Sequence, residues 1–186
     1  MLSRPVKFAG NLIGSMSILV FAVGYSLAQC AADSPAAIRE QVDGVFNRSL
    51  AAMETKVQPG NVTTSTWVPP SQSEKSVIDC LGVAAMNGIA AHLNSKASFG
   101  QILAIRMLGW VGTSEIVPPL AEVLNSSASQ TAKTNALEAL YNAPQADAMQ
   151  VLSRVSRLDP NPYVRNKASE VLRRYSTANA PQPQSQ

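Results

Sequence analysis

The sequence predicts an all-α protein: an α-solenoid of stacked antiparallel helix pairs, with about seven helices after an N-terminal leader. Three observations predict it. A period of 32 residues runs through 99–175, where Ala104, Ala136 and Ala168 align, as do Leu108, Leu140 and Leu172 four positions further on. Residues four apart share one helix face, so these columns describe the same face of three successive helices. The second helix of each unit repeats as well, in Val117/Met149, Leu120/Leu152 and Val123/Val155. Strand signals are absent apart from Asn61-Val62-Thr63-Thr64, which is too short to pair.

The elements follow in order. Arg4 and Lys7 precede an uncharged stretch from Phe8 to Ala28 with an apolar centre at Ile18–Val23. A short positive region, an apolar run and small residues at Ser26 and Ala28 make a secretory signal peptide, cleaved to leave Gln29 as the N-terminus. Two alternatives stay open. Leu27-Ala28-Gln29-Cys30 resembles a bacterial lipoprotein box with the bulky Gln29 against it, and an uncleaved stretch of this length could also anchor the chain in a membrane. The protein is therefore expected to be exported, periplasmic or secreted. Its contact with a membrane would depend on lipid at Cys30 or an uncleaved leader.

Residues 29–73 hold a helix at about 36–54, begun at Ser34-Pro35, and a Pro/Thr-rich loop ending at Pro69-Pro70. Ser71-Gln72-Ser73-Glu74 is a capping box that opens a helix of about 74–95. The repeat domain spans 74–175. In it, Ser98 with Gln101 caps a helix of about 99–111, closed by Gly109 and Gly112. Ser114 caps the next helix, about 115–125, with Pro118 and Pro119 in its first turn. Helices of about 131–143 and 145–157 are separated by Pro144. Asp159-Pro160-Asn161-Pro162 forces a turn before the last, about 163–175. The tail from 176 to 186 is Pro/Gln/Ser-rich and is expected to be disordered.

Composition excludes several function classes. The chain has 186 residues, two Cys and one His, too few for a zinc finger or a two-His metalloprotease helix. Its net charge of +3 is too small to argue for nucleic acid. Of that charge, Arg4 and Lys7 lie in the leader; the rest hides a split of −3 over 29–153 and +4 over 154–174. No phosphate-binding glycine loop and no nucleophile elbow occur, so no catalytic residue, metal or cofactor is assigned. His92 stands alone beside Ile89 and Leu93. Cys30 and Cys80 could bridge in an oxidising compartment, or Cys80 could be a buried thiol in an apolar run.

Binding residues are weighed against structural roles. Arg154, Arg157, Arg173 and Arg174 form a basic end that suits an anionic partner, or simply a solvated capping face. Trp110 at a helix end and Trp67 in the Pro/Thr loop are candidate partner anchors, or lids on the core.

The segment Asp159-Pro-Asn-Pro-Tyr-Val164-Arg165-Asn-Lys-Ala168-Ser-Glu-Val171-Leu172 resembles HEAT repeats of the short bacterial type. Leu108-Gly109-Trp110-Val111-Gly112 with Glu115–Leu120 resembles the family's turn and second helix. The resemblance covers about 99–175. It implies a ladder between units, carried here by Asp159 and Arg165, with Arg165 pairing with Asp159 or capping carbonyls of the preceding unit. Lys133 and Gln101 replace the Arg in the earlier units, and Ser127 and Ser95 the Asp, so most of that ladder is expected to be missing. The leader, the 32-residue period and the lack of a catalytic constellation lead us to expect an exported, non-catalytic adaptor or scaffold that binds protein partners in a periplasmic or cell-surface assembly. The alternatives are an accessory protein or lyase-like enzyme, since some short HEAT proteins resemble chromophore lyases, or a lipid-anchored envelope protein.

Overall fold

The helices that follow Ser34, Ser71 and Ser129 begin where the serine hydroxyl accepts a free N–H of the first turn. The structure, a computed structural model, describes residues 34–54, 70–97 and 99–178. The leader over 1–28, Cys30, Trp67 with the rest of 55–69, Ser98 and the tail from 179 onward lie outside the described residues. The described residues fall in one unit that begins at Asp33.

Helix α1 (Pro35–Glu54) starts with Ser34 Oγ accepting the Ala37 N–H at 3.2 Å. Helix α2 (Gln72–Leu81) opens on the expected capping box: Ser71 Oγ accepts the Glu74 N–H and Glu74 Oε2 accepts the Ser71 N–H. The single helix expected over about 74–95 is broken. Gly82 has φ 51°, a left-handed φ open to glycine, and ends α2. A 3₁₀ turn at Gly82–Ala85 leads into α3 (Met86–Ala91), and a second one at His92–Asn94 ends it.

Helix α4 (Gly100–Val111) has Phe99 rather than Ser98 at its N-cap, and no side chain caps it. Gly112, at φ 66°, closes it with its N–H on the Leu108 carbonyl, as the glycine spacing predicts. The next helix starts in two steps, because Thr113 and not Ser114 is the cap residue. A 3₁₀ turn at Ser114–Ile116 precedes α5 (Val117–Asn125), with both prolines in the first α-helical turn. Helix α6 (Gln130–Leu140) is capped by Ser129 Oγ on the Ala132 N–H and stops three residues before the expected 143. Helices α7 (Gln145–Leu158) and α8 (Pro162–Ala178) flank the Asp-Pro-Asn-Pro turn. Among the described residues no strand occurs.

The helices form two rows. Helices α2, α4, α6 and α8 lie side by side in chain order, α5 and α7 pair in the second row, and α1 packs across α2, α3 and α4. The repeat columns explain the packing. Gly100/Ala132/Val164 and Ala104/Ala136/Ala168 are all buried, small side chains that let neighbouring helices approach closely. Leu108 and Leu140 are buried; Leu172, near the end of the stack, is half-exposed. A further buried column, Met107/Ala139/Val171, shares the 32-residue offset. Val117 and Met149 turn outward from the core.

Among the described residues one stretch, Gln72–Asn94, is long and apolar enough by length and composition to cross a membrane. Its apolar residues Ile78, Leu81, Ala85, Ile89 and Leu93 are buried in the core. Cys80 lies on the exposed face of α2, which corrects the buried-thiol alternative, and it is disulfide-bonded.

Candidate functional site

The outward face of the first row is built from the same repeat positions in each unit. Arg106 on α4 donates from Nε to Asn135 Oδ1 on α6 at 2.8 Å. One unit later, Lys167 on α8 donates to Glu138 Oε1 on α6 at 2.5 Å. Both bonds join the same two columns, since 106 and 138, and 135 and 167, are each 32 apart. Trp110, Asn142 and Arg174 form another column of this period. Asn142 Nδ2 reaches back to the Gly109 carbonyl at 3.0 Å, and Arg174 Nη1 reaches back to Glu138 Oε2 at 2.6 Å. A polar ladder thus crosses α4, α6 and α8.

Between these rungs lies an open groove of about 430 Å³, within the usual size of ligand clefts. Trp110, Tyr141, Arg106 and Arg174 line it, with Lys75 contributed from α2. Its floor passes over Gly109 and Ala139, where α4 and α6 approach so closely that a Cβ on Gly109 would come within 3.1 Å of the Ala139 Cβ. Trp110 and Tyr141 are half-buried. The Arg174 guanidinium sits over the Tyr141 ring at 4.0 Å, and Tyr141 meets Tyr175 at 5.0 Å between centroids.

Charge in the groove is set by Glu138. Burial works to raise its pKa, but hydrogen bonds from Lys167 and Arg174, together with their charges, hold it below the ordinary carboxylate range. In return the Glu138 hydrogen bond raises both Lys167 and Arg174. Burial lowers Arg106 from its ordinary value.

Of the residues singled out in the sequence, Trp110 and Arg174 come together here. Arg154, Arg157 and Arg173 do not. Arg154 Nη2 donates to Asn125 Oδ1 at 3.2 Å, Arg157 Nε donates to the Ser153 carbonyl at 3.1 Å, and Arg173 is exposed. Trp67 lies outside the described residues. Arg106, Lys75, Tyr141, Asn135 and Asn142 were missed, although the polar positions repeat at the offset that the apolar ones do.

The ladder at the turns differs from the family's pattern. Arg165 Nη1 caps the Asp159 and Pro160 carbonyls at 2.7 and 3.1 Å, closing the end of α7. The Asp159 carboxylate turns the other way, to Lys133 Nζ at 2.9 Å, while its other oxygen accepts the Asn161 N–H. Lys133 therefore makes the inter-unit bond that replacement of the Arg was expected to remove. His92 is not alone: its Nε2 meets Asp43 Oδ1 at 2.7 Å and its ring stacks on Phe46 at 3.8 Å, tying the second 3₁₀ turn to α1.

The family described as HEAT repeats matches residues 89–173. That match begins in α3, ten residues before the segment whose resemblance is legible by eye, and so includes the second 3₁₀ turn and the start of the first row's contacts. A search of the curated proteins returned no match to the chain. HEAT repeats commonly mediate interactions between proteins. The match, the two rows of helices and the 32-residue columns agree: residues 89–173 match HEAT repeats, and the helices there stack as an all-α repeat.

Proposed function

We propose that the chain is an exported, non-catalytic adaptor or scaffold that holds a protein partner in a periplasmic or cell-surface assembly. The observation that carries this reading is the groove, to which α2, α4, α6 and α8 all contribute side chains. A surface drawn from four successive helices suits an extended partner segment better than a small reacting molecule. Arg106, Asn135, Glu138, Asn142 and Arg174 bond from one unit to the next rather than aim at a common reacting point.

Export is supported by the signal-peptide pattern before Gln29.

Cross-linking in the native envelope, followed by identification of linked peptides, tests the adaptor reading. The expected result is a reproducible partner linked through residues on the α2–α4–α6–α8 face. Recovery of the monomer alone overturns it. Intact mass of the native protein tests export: a start at Gln29 with two hydrogens lost to a disulfide is expected, whereas a retained leader or added acyl chains would refute it.

A further inference from the structure

The groove gathers a charge that the surrounding sequence does not have. Residues 29–153 carry a net −3, yet among the described residues the charged groups they place on the groove are Lys75, Arg106 and a single carboxylate, Glu138. Arg174 adds a third cation from α8. Both oxygens of Glu138 already meet cations, one from Lys167 and one from Arg174, which offsets its charge within the protein. Lys167 in turn is shared with Glu170 at 3.0 Å. Counted with those two neighbours, four cations stand against two carboxylates, a local +2.

The remaining lining is aromatic and amide. Trp110 and Tyr141 offer flat apolar faces, and the exposed Asn142 and Gln72 carry side-chain amides, while the Asn135 amide is held by Arg106 and the Thr131 carbonyl. Amides along a trough match the N–H and C=O groups of an extended backbone, as in other grooves that receive peptide segments. Aromatic faces bind apolar side chains at little cost in conformational entropy.

We infer that the groove receives an extended segment of the partner protein that carries carboxylate side chains, with an apolar residue seated against Trp110. The inference rests on the adaptor reading and specifies the partner's chemistry. Carboxylates of the segment meet Lys75 on α2, Arg106 on α4 and Arg174 on α8.

The test uses the mature full-length protein and three fluorescein-labelled ten-residue peptides with a shared Pro/Leu framework, carrying four Glu, four Gln or four Lys. Binding is followed by anisotropy at low and high salt. The Glu peptide is expected to bind at least about tenfold more tightly than the Gln peptide, with the difference shrinking at high salt. Lys75→Glu, on an outer helix face, is expected to cancel most of that preference, and Trp110→Ala to weaken the Glu and Gln peptides alike.

Equal affinity for Glu and Gln peptides, or a preference untouched by Lys75→Glu, overturns the inference. So does binding to phosphatidylglycerol vesicles that Lys75→Glu abolishes when no peptide is selected. If no peptide binds while cross-linking still recovers a partner, the acidic segment is refuted and the adaptor survives. If the Glu peptide binds selectively while no partner is ever linked, the groove chemistry stands and the adaptor reading falls.

Discussion

Lys133 and Asp159 form an ion pair of 2.9 Å between consecutive repeat units, with side chains only 11% and 4% exposed. Asp159 also accepts the Asn161 N–H, so its carboxylate fixes the turn and the neighbouring helix together. Removing one partner of a buried pair leaves the other charged and without its counterpart, and typically costs about 3–5 kcal/mol. Lys133→Ala is therefore expected to lower stability by about that amount in urea unfolding, and Lys133→Arg to retain most of it. A loss for Lys133→Ala under about 1 kcal/mol would show that the turn holds without the pair.

Tyr175 ties the last helix to the turn after α6. Its hydroxyl donates to the Leu140 carbonyl at 2.7 Å and reaches the Ala143 carbonyl at 3.2 Å, both buried contacts. Tyr175→Phe removes the donor from both carbonyls, although Leu140 keeps the Ala143 N–H, and is expected to cost about 1 kcal/mol. Burial first, and the neighbouring Tyr141 second, raise the Tyr175 pKa, with Arg174 opposing them. A raised phenol stabilises the fold fully below its unfolded value, about pH 10, and that share is lost as pH rises through the folded value. Stability curves of wild type and Tyr175→Phe should therefore converge at strongly alkaline pH.

Glu138 has the opposite sign. Its pKa is depressed, so its contribution is present above the unfolded value of about 4.3 and is lost as pH falls through the folded one. The carboxylate is 40% exposed, so solvent screening limits the gain to about 1 kcal/mol or less. Glu138→Gln is expected to lower thermal stability slightly at neutral pH and to flatten the dependence below about pH 5. A mutant curve that stays parallel to wild type down to acid pH would mean that the Lys167 and Arg174 bonds add nothing.

Gly109 is where two effects compete. Alanine is the better helix former by about 1 kcal/mol, but its Cβ would lie 3.1 Å from the Ala139 Cβ and 3.2 Å from the Ala139 Cα. The Cα belongs to a helix backbone and cannot rotate away, so α4 and α6 must separate. Overpacking of this kind costs about 1–3 kcal/mol, and Gly109→Ala is expected to be net destabilising in chemical unfolding. The same change raises the groove floor, so it should weaken peptide binding as well.

Helices and their order were legible because local rules decide them. The Ser71 capping box, the Gly112 cap, the prolines of α5 and the turn at 159–162 all act over a few residues, and the structure has each of them. The failures are local too. Gly82 reads as a tolerated glycine inside an apolar helical run, until neighbours on both sides fix α2 and α3 at an angle that its φ of 51° allows. Phe99 takes the N-cap from Ser98 because the packing of α4 sets where the helix starts.

By itself the sequence determined the class, the period and the small-residue columns, because burying one face per helix at 32-residue spacing leaves stacking as the only way to cover it. Only the tertiary structure decided which charges meet. Asp159 lies 26 residues from Lys133 and Glu138 lies 36 from Arg174, distances at which pairing depends on how helices lie in the row. The same holds for the groove, whose cations come from α2, α4 and α8. Apolar columns announce themselves because burial is non-directional and repeats in every unit, whereas an ion pair needs two atoms within a few ångströms, and only packing brings them there.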